Sequence, residues 1–144
     1  MAGSRALGSS LALVDGDLVF ASRTITDSGG QRTARTLSEV SGAQNLIQAL
    51  TLRVLTPLGG DQFNTTYGFD AAAVFGPATT VRTTRDLIQL NLVRTLGTDP
   101  RVQEIRDVTF LAAPTGSGRR AWAVVVTIVT VDGDQQSIPL TVGA

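Results

Sequence analysis

The run AWAVVVTIVTV, Ala121 to Val131, constrains the fold more than any other stretch of the chain. Side chains on a strand alternate between two faces. Trp122, Val124, Val126 and Ile128 fall on one face, and Val125, Val129 and Val131 on the other. A strand apolar on both sides is either central in its sheet or waits for a partner to cover one face. The runs VQEIRDVTFLA before it and QQSIPLTV after it also read as strands, separated from it by APTGSGRR and by the tight turn DGD. The C-terminal part is therefore expected to form an antiparallel sheet.

Upstream the period changes. In GAQNLIQALTLRVLTP, residues Leu46, Ile47, Leu50, Val54 and Leu55 recur at three- and four-residue steps, so the spacing predicts a helix with one apolar face. Ser41 suits a cap, and Pro57 stands just past the end. A second helix is expected from about Val81 to Leu96, with Leu87, Ile88, Val93 and Leu96 as its main face, widened by Leu92. The connection LGGDQFNTTYGFDAAAVFGPA reads as a long irregular loop carrying Phe63, Tyr67, Phe69 and Phe75; loops of that length are usually packed and functional.

The first ten or so residues are small and polar and read as a loose arm. Leu11 to Val14 and Leu18 to Ile25 read as strands around the turn dipeptide Asp15-Gly16. TDSGGQ is a second turn, and RTARTLSEV runs extended. The expected fold is α+β: a mostly antiparallel sheet of C-terminal strands packed by two amphipathic helices in one domain. Residues 1–37 would form an arm with short hairpin strands, and 38–144 the main body.

Composition narrows the chemistry. The 144 residues contain no cysteine and no histidine, which removes disulfides, thiolate nucleophiles, histidine bases and most zinc sites. No metal or cofactor is expected. The 12 basic residues, all arginine, balance 12 acidic ones; a duplex-binding domain normally carries a basic excess, so nucleic acid is not expected as a partner. No stretch is apolar for the roughly 18 residues a membrane span needs, and the N-terminal sequence lacks the pattern of a secretory leader. The expectation is a soluble protein, cytoplasmic when made.

Catalytic groups are sparse. The glutamates are Glu39 and Glu104, and the aspartates mostly stand in turn dipeptides such as Asp15-Gly16 and Asp132-Gly133, where they serve as backbone hydrogen-bonders. Gly59-Gly60 follows a helix with no Lys-Ser/Thr after it, so it reads as a helix-stop loop and not a phosphate loop. Arg119-Arg120 reads as a solvated turn or a contact in an assembly. More specific is Asp99-Pro100-Arg101, just after the second helix. Proline fixes its own φ and pushes Asp99 out of the helical region, so one acid and one base share a stiff corner. Two readings stand: a local Asp-Arg interaction closing the helix, or an arginine aimed at a partner's acidic pocket.

The segments SGAQNLIQALTLRVLTPLGGD, TTYGFD and LIQLNLVRTLGTDPRVQEIRDVTF, in that order, resemble the lysozyme-like baseplate wedge family of contractile phage tails, type VI secretion systems and extracellular injection particles. The residues that carry the likeness are Asn45, Leu46, Gln48, Ala49, Leu50, Thr56, Pro57, Gly59, Tyr67, Gly68, Pro100, Arg101 and Val102. They lie within residues 38–111, about half of the chain. Asp99 stands where that family has glutamate, Gly60-Asp61 replaces a single acid, and Asn64-Thr65-Thr66 replaces His-Pro-Asp.

The resemblance implies a structural, non-enzymatic subunit, six per baseplate, that joins the wedge to the first sheath ring by strand exchange. It implies sheath protein and other wedge proteins as partners, and a place in a tail or injection particle after assembly in the cytoplasm. Asp99, Pro100 and Arg101 would face the wedge core, and Ser137, Ile138, Pro139, Leu140, Thr141 and Val142 would offer the sheath a strand edge. The rival implied by the family's label is a peptidoglycan-cleaving hydrolase, with Glu104 as the residue to test.

Overall fold

A computed structural model of the chain describes residues 6–76, 80–111 and 121–143. The fold is α+β, with antiparallel sheets and helices packed together, as the period change along the sequence implies. The chain divides into two compact units, Met1–Gln48 and Ala49–Ala144. The division falls inside the first helix.

The first unit is built from three two-stranded ribbons. β1 (Ser9–Leu11) pairs with β6 (Glu39–Ser41), β2 (Leu13–Val14) with β3 (Asp17–Leu18), and β4 (Phe20–Asp27) with β5 (Gly30–Leu37), all antiparallel. The turn between β2 and β3 is Asp15-Gly16, with φ of 52° and 89°; two successive positive φ values match the right-handed twist of a tight hairpin. The ribbons meet at a closed triangle of backbone hydrogen bonds: Ala12 N–H to Ser38 O at 2.8 Å, Val19 N–H to Ala12 O at 3.1 Å and Ser38 N–H to Val19 O at 2.7 Å. Val19 thus splits the strand expected over Leu18 to Ile25.

The loose arm expected over the first ten or so residues is corrected from residue 6 onward; residues 1–5 lie outside the described residues. Leu7 is buried, and Ser9–Leu11 is hydrogen-bonded to Glu39–Ser41. The cause is polar and non-local. In the first helix, α1 (Gly42–Leu55), Asn45 and Gln48 face the N-terminal strand. The Asn45 amide donates to Leu7 O at 2.8 Å and accepts from Ser10 Oγ at 2.6 Å. Gln48 accepts from Leu13 N–H at 2.9 Å and donates to Leu11 O at 2.8 Å. A spacing of three places both amides on one side of a helix.

In the second unit the helices bury narrower stripes than the sequence suggested. Leu50 and Val54 of α1 are buried, whereas Leu55 is 64% exposed. In α3 (Val81–Leu96) the buried apolar stripe is Ile88, Leu92 and Leu96, a four-residue step, and Val93 turns outward. Thr80 caps this helix, its hydroxyl accepting from Thr83 N–H. The connection expected to be irregular contains a short helix, α2 (Ala71–Phe75), capped by Asp70. Of its aromatics Phe69 is buried, and Phe63 is almost fully exposed.

The C-terminal sheet has the order β7 (Val102–Phe110), β8 (Ala121–Thr130), β9 (Gln135–Gly143), so the strand apolar on both faces is the central one. Val124, Val126 and Ile128 are fully buried, while Val125 and Thr127 on the opposite face are half-buried. Trp122 meets Phe110 edge-on at 6.0 Å. The expected turn at 113–120, with Arg119-Arg120, lies outside the described residues.

The two edges of this sheet differ. β7 carries register shifts between Val102 and Glu104 and between Ile105 and Asp107, and such bulges twist an edge away from further pairing. On the other side, Thr130 N–H bonds to Asp134 O at 2.9 Å. Hydrogen-bonded pairs alternate along an antiparallel ladder. Since Val125 faces Pro139, that alternation turns the nitrogen of Pro139 away from β8. The proline therefore removes a donor from the open edge without weakening its own sheet.

Candidate functional site

Three segments far apart in sequence meet in the second unit: Arg53 to Pro57 from the end of α1, Tyr67 to Phe69 from the connection, and Thr95 to Arg101 after α3. Backbone contacts close the first two together. Phe69 N–H donates to Thr56 O at 2.8 Å, Leu58 N–H donates to Phe69 O at 2.9 Å, and Pro57 forms a parallel bridge with Phe69. Gly68 makes this approach feasible. Its φ is 119°, and a Cβ there would lie 2.6 Å from both the Thr56 and the Pro57 carbonyl oxygens. The third segment joins through Thr95, whose hydroxyl donates to Gly68 O at 3.3 Å.

Asp99 lies at the centre, with its side chain only 3% exposed. Arg101 grips it with both arms: Nε to Oδ1 at 2.9 Å and Nη2 to Oδ2 at 2.8 Å, while the Arg101 backbone N–H donates to Oδ1 at 3.0 Å. Pro100 between them is exposed and holds the corner. Arg53 approaches from α1, its Nη2 3.7 Å from Asp99 Oδ2. The same guanidinium donates to the Thr98 hydroxyl and to Thr95 O, and lies 4.8 Å over the Tyr67 ring.

Burial works against the charge on Asp99. Hydrogen bonds from the Arg101 side chain and backbone, with the charges of Arg101 and Arg53, outweigh it and hold the carboxyl below the usual carboxylate range. The hydrogen bond to Asp99 in turn raises the Arg101 guanidinium against its own partial burial. Asp99 is therefore a fixed anion, suited to holding two arginines in place and unsuited to giving up a proton near neutral pH. A shallow cleft of about 240 Å³, lined in part by Thr66, Gly68, Asp70, Arg94, Thr95 and Thr98, shares Gly68, Thr95 and Thr98 with this cluster. Asp70 there is engaged in capping α2.

The structure thus brings Asp99, Pro100 and Arg101 together with Thr56, Pro57, Tyr67 and Gly68; six of these seven are among the thirteen residues on which the family resemblance rests. The acidic partner of Arg101 is Asp99 of the same chain, and 26% of the Arg101 side chain remains open. Ser137, Ile138, Pro139, Leu140, Thr141 and Val142 lie elsewhere, on β9, with Ile138, Leu140 and Val142 buried and the alternate residues exposed. Glu104 stands on β7 with its side chain 60% exposed, 3.8 Å from Arg106.

Sequence reasoning missed Arg53, Asn45 and Gln48 as architectural residues. The signal for the amides was present: two polar residues three apart inside an otherwise apolar helix pattern. For Arg53 there was none, because its partners lie 42 and 45 residues away. Among the described residues no group of three or more His, Cys, Asp or Glu side chains is placed to hold a metal ion. No described helix is long and apolar enough to cross a membrane.

Comparison with known proteins finds no matching family model and no matching curated sequence.

Proposed function

We propose that this chain is a structural baseplate wedge subunit of a contractile tail or injection system, linking the wedge core to the first sheath ring. One observation carries the reading. Three of the short motifs behind the resemblance, Thr56-Pro57, Tyr67-Gly68 and Asp99-Pro100-Arg101, are scattered in sequence yet meet in one cluster, joined by the backbone bonds of Phe69, the Thr95–Gly68 bond and Arg53. Separate motifs that converge on one rigid corner have a reason to occur together. In this reading the outer faces of Arg101 and Pro100 meet the wedge core, presented in one orientation because Asp99 fixes the guanidinium from behind.

The sheath contact we propose lies on β9. An incoming strand would find outward N–H groups at Ser137 and Thr141 and none at Pro139. The ladder it forms would therefore consist of two short stretches around a gap. Backbone pairing of this kind gives affinity, and the exposed alternate side chains give specificity.

The rival is a peptidoglycan hydrolase. Its general acid would need surroundings that keep it protonated, usually burial, and the Glu104 side chain is largely solvated.

The test is to tag the protein in producing cells, purify what it assembles with and image the particles by cryo-electron microscopy. Density for the tagged subunit between wedge and sheath, six copies around the axis, is the expected result. Sheath-free material that clears cell walls, and loses that activity with Glu104→Gln, would replace the structural reading with the hydrolase.

A further inference from the structure

The ribbon β4–β5 stands out from the rest of its unit. Its ladder runs unbroken from Phe20↔Leu37 to Asp27↔Gly30. Every residue of β4 is exposed, as are all of β5 except Ala34 and Thr36. Phe20, Ile25 and Leu37 are 58%, 46% and 40% exposed. An isolated two-stranded hairpin is only marginally stable in water and gains stability from a third strand or a covering layer.

The edges of this ribbon lack the interruptions found along the edges of the C-terminal sheet. There the open edge of β9 carries Pro139 and β7 carries two register shifts. In β4 and β5 there is no proline and no bulge. Such interruptions limit the length of ladder an edge can offer an added strand, and the edge of β5 carries none.

We infer that the free edge of β5 accepts an extended, acid-bearing segment of a partner protein. Ser38 N–H bonds to Val19 O, so the ladder alternation turns the backbone groups of Gln31, Thr33, Arg35 and Leu37 outward on β5. Charge selects this edge and its occupant. β5 carries Arg32 and Arg35 and no acid, whereas β4 balances Arg23 with Asp27. Arg32 is paired with Asp27 across the ribbon, and Arg35 lies 5.4 Å over the Phe20 ring. An added strand with carboxylates near Arg35 gains opposite-charge cross-strand pairs. A second copy of this chain would bring another arginine-bearing β5. The inference is independent of the wedge reading, which uses β9 and the Asp99 corner.

The test uses the full chain, immobilised and challenged with a library of random decapeptides, as wild type, Thr33→Pro and Arg35→Glu. The nitrogen of Thr33 faces outward, so proline there removes a donor from the edge while sparing the ladder to β4, as Pro139 does in β9. Circular dichroism and the unfolding midpoint check that both variants fold. Wild type is expected to enrich peptides in which acids alternate with β-branched residues. Thr33→Pro should weaken the enriched peptides at least about ten-fold, and Arg35→Glu should shift the enrichment from acidic to basic peptides. No enrichment, enrichment without acids, or unchanged binding by Thr33→Pro would each overturn the inference. So would a short DNA duplex that binds wild type and Thr33→Pro equally but not Arg35→Glu, which would mark a polyanion site.

Discussion

At the tip of the β4–β5 ribbon Asp27 receives Arg32, and after α3 Asp99 receives Arg101. Both pairs are carboxylate to guanidinium, both hold the acid below its usual range, and both close a turn. Their surroundings differ. The Arg32 and Asp27 side chains are 76% and 37% exposed, while Asp99 is sealed from water. In the open pair, solvent screens the attraction and replaces either partner at little cost. In the closed pair, removing one partner strands a charge in a poorly polar interior. Identical chemistry is thus decoration in one place and framework in the other.

The largest separation between the two pairs should come from Asp99→Asn, which leaves Arg101 and Arg53 without their counter-charge. It is expected to cost about 3–5 kcal/mol, read as a drop in the denaturation midpoint. A loss as small as that of an exposed ion pair would show that the corner contributes little.

Acid should separate the pairs next. Because the folded pKa of Asp99 lies below its unfolded value near 3.8, its contribution is complete above that value and is lost as pH falls through the folded pKa. Wild type should therefore lose stability below about pH 4. Asp99→Asn should flatten that limb, and Arg32→Ala should leave it in place.

Asn45→Ala probes a buried amide that carries no charge. It leaves Leu7 O without its donor and should cost about 1–3 kcal/mol, with protease cleavage appearing first between residues 6 and 14. The smallest effect belongs to Arg32→Ala, whose unfolding midpoint should match wild type within error. A clear destabilisation there would erase the contrast between the two pairs.

What the sequence disclosed follows from the range of the forces involved. The helices and the strands β7, β8 and β9 came from periodic burial, which each segment encodes by itself. The Asp15-Gly16 turn was legible because its positive φ values demand those residue types. β1 was not legible: Ser9-Ser10-Leu11 has no apolar alternation, and it is fixed by Asn45 and Gln48 more than thirty residues later. Leu55 and Val93 fit the helical period yet face outward, since periodicity gives a stripe but not its width. The corner was half legible. Asp99-Pro100-Arg101 announced rigidity, but the burial of Asp99 depends on Arg53, Thr95 and Gly68, whose convergence no local pattern encodes.

The triangle formed by Ala12, Val19 and Ser38 has a consequence for the order of folding. The hairpins around Asp15-Gly16 and Ser28-Gly29 close short loops and can form in about microseconds. The bond between Ala12 and Ser38 spans 26 residues if the ribbon is unformed, and loop closure of that length carries a larger entropic cost. Once the hairpins exist, the same two residues are already neighbours. The β1–β6 pairing that locks the N-terminal strand is then a late, inexpensive step. Destabilising substitutions in the β4–β5 ladder should slow folding, while those in β1 should mainly speed unfolding.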